Sequence, residues 1–73
     1  MTSRATEIHP LAYVAPAARL GQGVSIGPFC TVGPDVELGD GVTLHSHVNV
    51  DGHTTIGARS EIFPFASIGT APQ

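Results

Sequence analysis

The chain has 73 residues, of which 41% are hydrophobic, 12% charged and 5% aromatic, and its formal net charge is −3. A chain of this length forms one small domain at most, and its composition excludes a disordered polypeptide. Because the chain has no lysine and is acidic, a nucleic-acid surface and an anionic membrane are improbable partners.

Residues 1–7 precede any regular pattern and are mostly polar. They predict a frayed or capping end rather than a signal peptide, and no apolar run in the chain is long enough to span a membrane. The single cysteine, Cys30, cannot form an internal disulfide, which fits a reducing compartment. We therefore expect a cytoplasmic location.

From residue 8 to residue 73 the chain divides into eleven uninterrupted hexapeptides. Each hexapeptide opens on a large aliphatic residue: Ile8, Val14, Leu20, Ile26, Val32, Leu38, Leu44, Val50, Ile56, Ile62 and Ile68. A period of six does not follow the 3.6-residue turn of an α-helix, and glycine and proline interrupt every candidate helix. The repeat indicates short strands separated by bends at fixed intervals.

Glycine and proline mark where those bends fall. Six glycines occupy the second position of a hexapeptide: Gly21, Gly27, Gly33, Gly39, Gly57 and Gly69. Five prolines occupy the third position: Pro10, Pro16, Pro28, Pro34 and Pro64. We attribute the glycines to unusual backbone angles at the bend and the prolines to their preset φ.

Three strands and three bends close a triangular coil of eighteen residues, so residues eighteen apart lie above one another in parallel sheets. The inner columns are then aliphatic throughout: Ile8, Ile26, Leu44 and Ile62; Val14, Val32, Val50 and Ile68; Leu20, Leu38 and Ile56. The prediction is an all-β parallel β-helix of just under four coils over residues 8–73, which forms one domain.

One outer wall of this coil is unusually apolar. Its fourth-position residues are Leu11, Phe29, His47 and Phe65, which we call the aromatic wall. The corresponding residues of a second wall are Ala17, Asp35, His53 and Ala71. Because an exposed apolar stripe usually marks a contact between proteins, the aromatic wall is predicted to pack against another subunit.

Hexapeptides that open on Ile, Leu or Val, followed by glycine, resemble those of the bacterial hexapeptide-repeat transferases. The resemblance implies a left-handed parallel β-helix and a homotrimer, and only the resemblance gives the handedness. A narrower likeness covers nearly the whole chain from Ile8 and rests on four short motifs. These are Pro-Phe-Cys at 28–30, Ser-His-Val at 46–48, Gly-His-Thr at 52–54 and Phe-Ala-Ser-Ile-Gly at 65–69. They resemble the beginning of the UDP-N-acetylglucosamine O-acyltransferases of lipid A biosynthesis.

The resemblance implies an enzyme that moves a (3-hydroxy)acyl chain from acyl carrier protein to the glucosamine 3-hydroxyl of UDP-N-acetylglucosamine, without a metal. In that family a histidine polarised by a carboxylate is the general base, and it lies beyond the position matching residue 73. Gln73 matches a glutamine that contacts the substrate in the family and is followed there by an aspartate. We expect this chain alone to lack turnover, and we expect Gln73 to be its substrate contact.

Four histidines invite a metal interpretation, since γ-class carbonic anhydrases use the same scaffold and bind zinc through histidines at subunit boundaries. A zinc site needs three or four converging ligands. The residues eighteen away from His45 and His47 are glycine and phenylalanines, so no ligand stacks above or below them. We expect no metal and no cofactor, and we assign these histidines to packing or subunit contact.

The remaining reactive side chains favour structural roles. Cys30 occupies the inward fifth position and is predicted to be a small buried residue rather than a nucleophile. Four carboxylates are predicted to lie on the solvated surface: Asp35, Glu37, Asp40 and Glu61. Besides the acyltransferase, two alternative hypotheses remain, namely a structural β-helix module for assembly and a γ-carbonic-anhydrase-like metal protein.

Overall fold

The computed structural model describes residues 6–69, which form eleven strands of two or three residues each and no helix. The strands are β1 (Glu7–Ile8), β2 (Tyr13–Val14), β3 (Arg19–Leu20), β4 (Ser25–Ile26), β5 (Thr31–Val32), β6 (Val36–Leu38), β7 (Thr43–Leu44), β8 (Asn49–Val50), β9 (Thr54–Ile56), β10 (Glu61–Ile62) and β11 (Ser67–Ile68). They are shorter than a typical strand because a bend interrupts the chain in every hexapeptide. This part of the chain contains no helix that could span a membrane.

Three parallel sheets form the three sides of the coil. Their strand orders are β1-β4-β7-β10, β2-β5-β8-β11 and β3-β6-β9. Each strand pairs in parallel with the strand three elements later, and the register is eighteen residues throughout, as in the pairing of Ile26 with Leu44. The predicted triangular coil is therefore confirmed.

The core is a single column of aliphatic side chains inside the coil. It comprises Val24, Ile26, Cys30, Val32, Val36, Leu38, Val42, Leu44, Val48, Val50 and Ile56. All of them occupy the first or fifth position of a hexapeptide, as predicted, and no described polar side chain is buried. Each valine or leucine that is fully buried contributes about 1.5–3 kcal/mol to folding. The ends are less well covered, since Ile8 is 44% exposed.

The second-position glycines have a different role from the predicted one. Of these six, only Gly69 has a positive φ. At Gly27 an added Cβ would lie 2.6 Å from the backbone oxygen of His45, and at Gly39 it would lie 2.7 Å from the backbone nitrogen of Ala58. Glycine is needed there because the next coil approaches too closely for a side chain. The prediction that these glycines supply unusual backbone angles is wrong for most of them.

The left-handed backbone conformation occurs instead mainly at the fourth position, in some of the hexapeptides but not in all of them. Phe29, His47, Arg59 and Phe65 have φ angles of 62°, 56°, 62° and 67°. Side chains as large as these are uncommon in that conformation. At two corners of the coil, the chain therefore reverses direction at residues with large side chains. Phe29, His47 and Phe65 lie at one of these corners, and Arg59 lies at the other.

The N-terminal boundary of the coil lies slightly before the first complete hexapeptide. Glu7 of β1 pairs with Ser25 of β4, and the hydroxyl of Thr6 donates a hydrogen bond of 2.9 Å to the backbone oxygen of Gly21. The first strand thus uses one residue that the repeat does not include.

Candidate functional site

The aromatic wall runs along the corner that follows the sheet β1-β4-β7-β10. Backbone hydrogen bonds align its residues: Phe29 N donates to Leu11 O (3.2 Å), and Phe65 N donates to His47 O (3.1 Å). The side chains face outward, since Leu11, Phe29 and Phe65 are 59%, 56% and 79% exposed. The structure therefore brings all four predicted residues into one exposed column.

Three of these side chains form a continuous stack. The ring centroids of Phe29 and His47 are 5.0 Å apart at an interplanar angle of 28°, and those of His47 and Phe65 are 5.0 Å apart at 22°. Such distances are typical of favourable aromatic pairs. The stack lies on a backbone held in the left-handed region at all three residues, and strain of this kind is concentrated at functional surfaces.

A second group of side chains lies beside the aromatic wall on the outer face of the same sheet. His45 Nε2 is 2.6 Å from Glu61 Oε2, and the His45 ring stacks on Phe63 with centroids 5.2 Å apart. The pair is an ion pair when His45 is protonated. Glu61 is exposed at the surface, as predicted, but its contact with His45 was not predicted from the sequence. The sixteen-residue separation could have revealed this contact, because it makes Glu61 a diagonal neighbour of His45 in the next coil.

An open groove of about 550 Å³ lies along this face. Its lining includes Glu7, His9, Ser25, Ser46 and Pro64. The groove adjoins the aromatic wall, because Ser46 immediately precedes His47 and Pro64 immediately precedes Phe65. The wall and the groove together form one mixed apolar and polar surface along this side of the coil.

The histidines do not converge on a common point. His47 is held between two phenylalanines, His45 is paired with Glu61, and His53 lies on another wall, where its side chain is 90% exposed. His53 Nε2 is 3.8 Å from Asp35 Oδ2. Among residues 6–69, no three His, Cys, Asp or Glu side chains are grouped as metal ligands would be.

Cys30 and Asp51 serve the coil itself. Cys30 is 1% exposed, as its inward position predicted, and its thiol donates a hydrogen bond to His45 O at 2.8 Å. Asp51 Oδ1 accepts a hydrogen bond from Gly52 N (2.8 Å), and its backbone oxygen accepts one from the Thr54 hydroxyl (2.7 Å). The Gly-His-Thr motif at 52–54 is therefore part of a bend stabilised by side chains.

Gln73, the predicted substrate contact, lies outside the described residues. The other part of the predicted site, the aromatic wall, is fully described.

Comparison with known proteins agrees with this architecture. Residues 17–52 match the family model described as bacterial transferase hexapeptide (six repeats). An Arabidopsis UDP-N-acetylglucosamine acyltransferase is 43% identical over 82% of this chain and 21% of its own, with a TM-score of 0.81. A second solved UDP-N-acetylglucosamine acyltransferase is 48% identical over 92% of this chain and 26% of its own, with a TM-score of 0.89. No curated protein sequence matches the chain.

Two facts follow from these matches. The predicted fold class, a left-handed parallel β-helix, is confirmed. The chain spans only about a quarter of the length of the solved acyltransferases that it matches.

Proposed function

The chain belongs to the hexapeptide-repeat transferases, and from that membership we propose that it is the N-terminal part of a UDP-N-acetylglucosamine acyltransferase. The observation that carries the proposal is the 48% identity over 92% of the chain to a solved enzyme of that name. The same hexapeptide register runs through all of residues 8–68 and places the four family-like motifs on the coil.

In the proposed reaction the 3-hydroxyl of the glucosamine unit attacks the thioester carbonyl of an acyl carrier protein. A general base removes the hydroxyl proton as the new ester bond forms, the acyl carbon–sulfur bond breaks, and the carrier sulfur leaves as a thiol after it takes the proton from the base. A sugar hydroxyl is a poor nucleophile, so a positioned base is needed near neutral pH, and histidine suits that role. We assign this base to a part of the enzyme beyond residue 73, and this chain to the scaffold and the edge of the substrate site.

The aromatic wall is proposed to be the contact between subunits of a homotrimer. Three observations support this assignment: the exposure of Leu11, Phe29 and Phe65, the stack through His47, and the left-handed backbone that holds the rings outward. Rings stacked on one another are already ordered, so they lose little further side-chain freedom when a partner covers them. We also propose a cytoplasmic location, with which the buried, unpaired Cys30 is compatible.

A chimaera tests the proposed enzyme. Residues 1–73 replace the aligned segment of the solved acyltransferase that is 48% identical, and acyl transfer to UDP-N-acetylglucosamine is measured by release of the carrier thiol. The chimaera is expected to retain transfer, whereas the chain alone is expected to show none, because it lacks the base. A folded trimeric chimaera without transfer would contradict the proposal, as would turnover by the isolated chain.

Gln73 is proposed to hydrogen-bond the nucleotide sugar. In the same chimaera, Gln73→Ala is expected to raise the KM for UDP-N-acetylglucosamine about 10-fold, the equivalent of about 1.4 kcal/mol for one lost hydrogen bond. The matched control is Gln22→Ala, at an exposed glutamine among the described residues. Equal KM values for the Gln73 variant and the parent chimaera would remove Gln73 from the substrate site.

The alternative function is a structural module whose task is assembly alone. The aromatic wall favours it, because three of the six exposed large hydrophobic residues of the described chain lie in this wall, and two of them stack on His47. The chimaera distinguishes the acyltransferase from the assembly module. A chain that serves only assembly is expected to assemble within the chimaera but not to support acyl transfer.

A further inference from the structure

We propose that protonation of His47 makes subunit assembly pH-dependent, so that acid separates the subunits. The inference rests on the proposed trimer contact through the aromatic wall and concerns the regulation of that same surface. His47 is the one titratable residue among the four that form the wall. It is also the middle member of the stack, between Phe29 and Phe65.

The geometry leaves only the edge of the His47 ring for polar contacts. Phe29 lies against one face and Phe65 against the other, each with a centroid distance of 5.0 Å. The two ring nitrogens therefore have only in-plane directions in which to find partners. In the single chain His47 is exposed, so water serves these nitrogens in either protonation state.

Among residues 6–69, no hydrogen bond or ion pair joins His47 to a carboxylate. In its own coil and the coil above, the nearby titratable groups are His45 and Glu61, which are bonded to each other at 2.6 Å. In the coil below, residues 25–32 contribute only the buried thiol of Cys30. The titratable residues of the first coil are Glu7, His9, Tyr13 and Arg19, two coils away.

The two protonation states consequently respond differently to assembly. In the separate chain, a protonated His47 gains cation–π attraction from two phenylalanine rings and keeps its water. In the assembled wall it loses that water without gaining a carboxylate from its own chain, which is costly for a charge. Neutral imidazole also loses its water, but burying an uncharged polar group costs much less than burying a charge. The assembled state therefore binds fewer protons, and by linkage acid favours separate subunits.

The size of the effect follows from the number of subunits. The assembled wall accepts only neutral His47, so each chain that acid protonates is lost from the pool that can assemble. A trimer needs three neutral chains, so the concentration for half-assembly is expected to rise at least about 10-fold between pH 8 and pH 5.5.

Sedimentation equilibrium of the 73-residue chain at pH 8 and pH 5.5 tests the inference, with His47→Phe as the key variant. Phenylalanine keeps the stack, cannot titrate, and already occupies the same backbone conformation at positions 29 and 65. The wild-type chain is expected to be trimeric at pH 8 and to lose mass at pH 5.5, whereas the variant remains trimeric at both. His47→Gln serves as a second non-titrating variant in case the phenylalanine variant misfolds.

Two controls address the other histidines. His53→Gln changes an exposed histidine on another wall, and His45→Gln removes the pair with Glu61; both are expected to retain the loss of mass in acid. The inference is overturned if the wild-type trimer persists at pH 5.5, if it tightens there, or if His47→Phe dissociates equally. A wild-type chain that is single at pH 8 would instead overturn the proposed trimer contact itself.

Discussion

A chain carrying Phe29→Asp and Phe65→Asp together is expected to remain single at concentrations at which the wild-type chain assembles. Each phenylalanine that a partner buries contributes about 1.5–3 kcal/mol, so losing two of them removes about 3–6 kcal/mol from each contact. This corresponds to two to four orders of magnitude in the dissociation constant. The new carboxylates add to the loss, because burying them without partners is unfavourable.

The substitution is expected to leave the fold intact for a backbone reason. Phe29 and Phe65 have φ angles of 62° and 67°, a region in which aspartate is several-fold enriched over bulky residues. Both side chains are also more than half exposed in the single chain. Loss of assembly without loss of the β-sheet circular dichroism signal would therefore identify a contact surface rather than a folding defect.

Arg59→Asp is the matched control for this variant. Arg59 occupies the same fourth position, has a φ of 62°, and lies at a different corner of the coil. Light-scattering mass at a fixed protein concentration is expected to be unchanged for this control and to fall to one chain for the double variant. If the double variant keeps the wild-type mass, the aromatic wall is not the subunit contact.

The sequence predicted the core of this fold almost completely. Strict spacing makes every first and fifth position point inward, so Leu38 and Val42 could be placed in the interior by counting alone, and both are fully buried. The same counting brought Phe29, His47 and Phe65 into one column. A parallel coil with a constant register converts sequence separation directly into position, which is why a single repeat length was sufficient.

Contacts that depend on side-chain direction or coil spacing were not predicted. The pair of His45 and Glu61 joins different hexapeptide positions across two coils, which the comparison of residues exactly one coil apart overlooks. The left-handed backbone at Phe29 was also missed, because such conformations are expected at glycine and rarely at large residues. The close approach at Gly39 depends on how near the next coil lies, and hydrophobic periodicity does not report that distance.

Gly39→Ala is expected to destabilise the coil severely. An alanine Cβ at this position would lie 2.7 Å from Ala58 N, 2.9 Å from Ala58 Cα and 3.1 Å from Gly57 C. All three are backbone atoms of the next coil, so no flexible side chain can move aside, and the sheet β3-β6-β9 must shift. Overpacking of this kind typically costs about 1–3 kcal/mol, against a total stability of about 4–11 kcal/mol for a chain of this size.

Gly57→Ala provides an unusually close comparison, because Gly57 is the residue one coil further along the same corner. No described atom lies within 4 Å of an added Cβ there, and its φ is outside the left-handed region. Alanine at such a site restricts the unfolded chain and is expected to stabilise by about 0.4–1 kcal/mol. Thermal unfolding at a fixed protein concentration is therefore expected to give opposite changes in Tm, with Gly39→Ala lower by about 4–8 °C for each kcal/mol lost. Equal effects at the two glycines would show that general backbone flexibility, rather than the spacing between coils, determines where this repeat requires glycine.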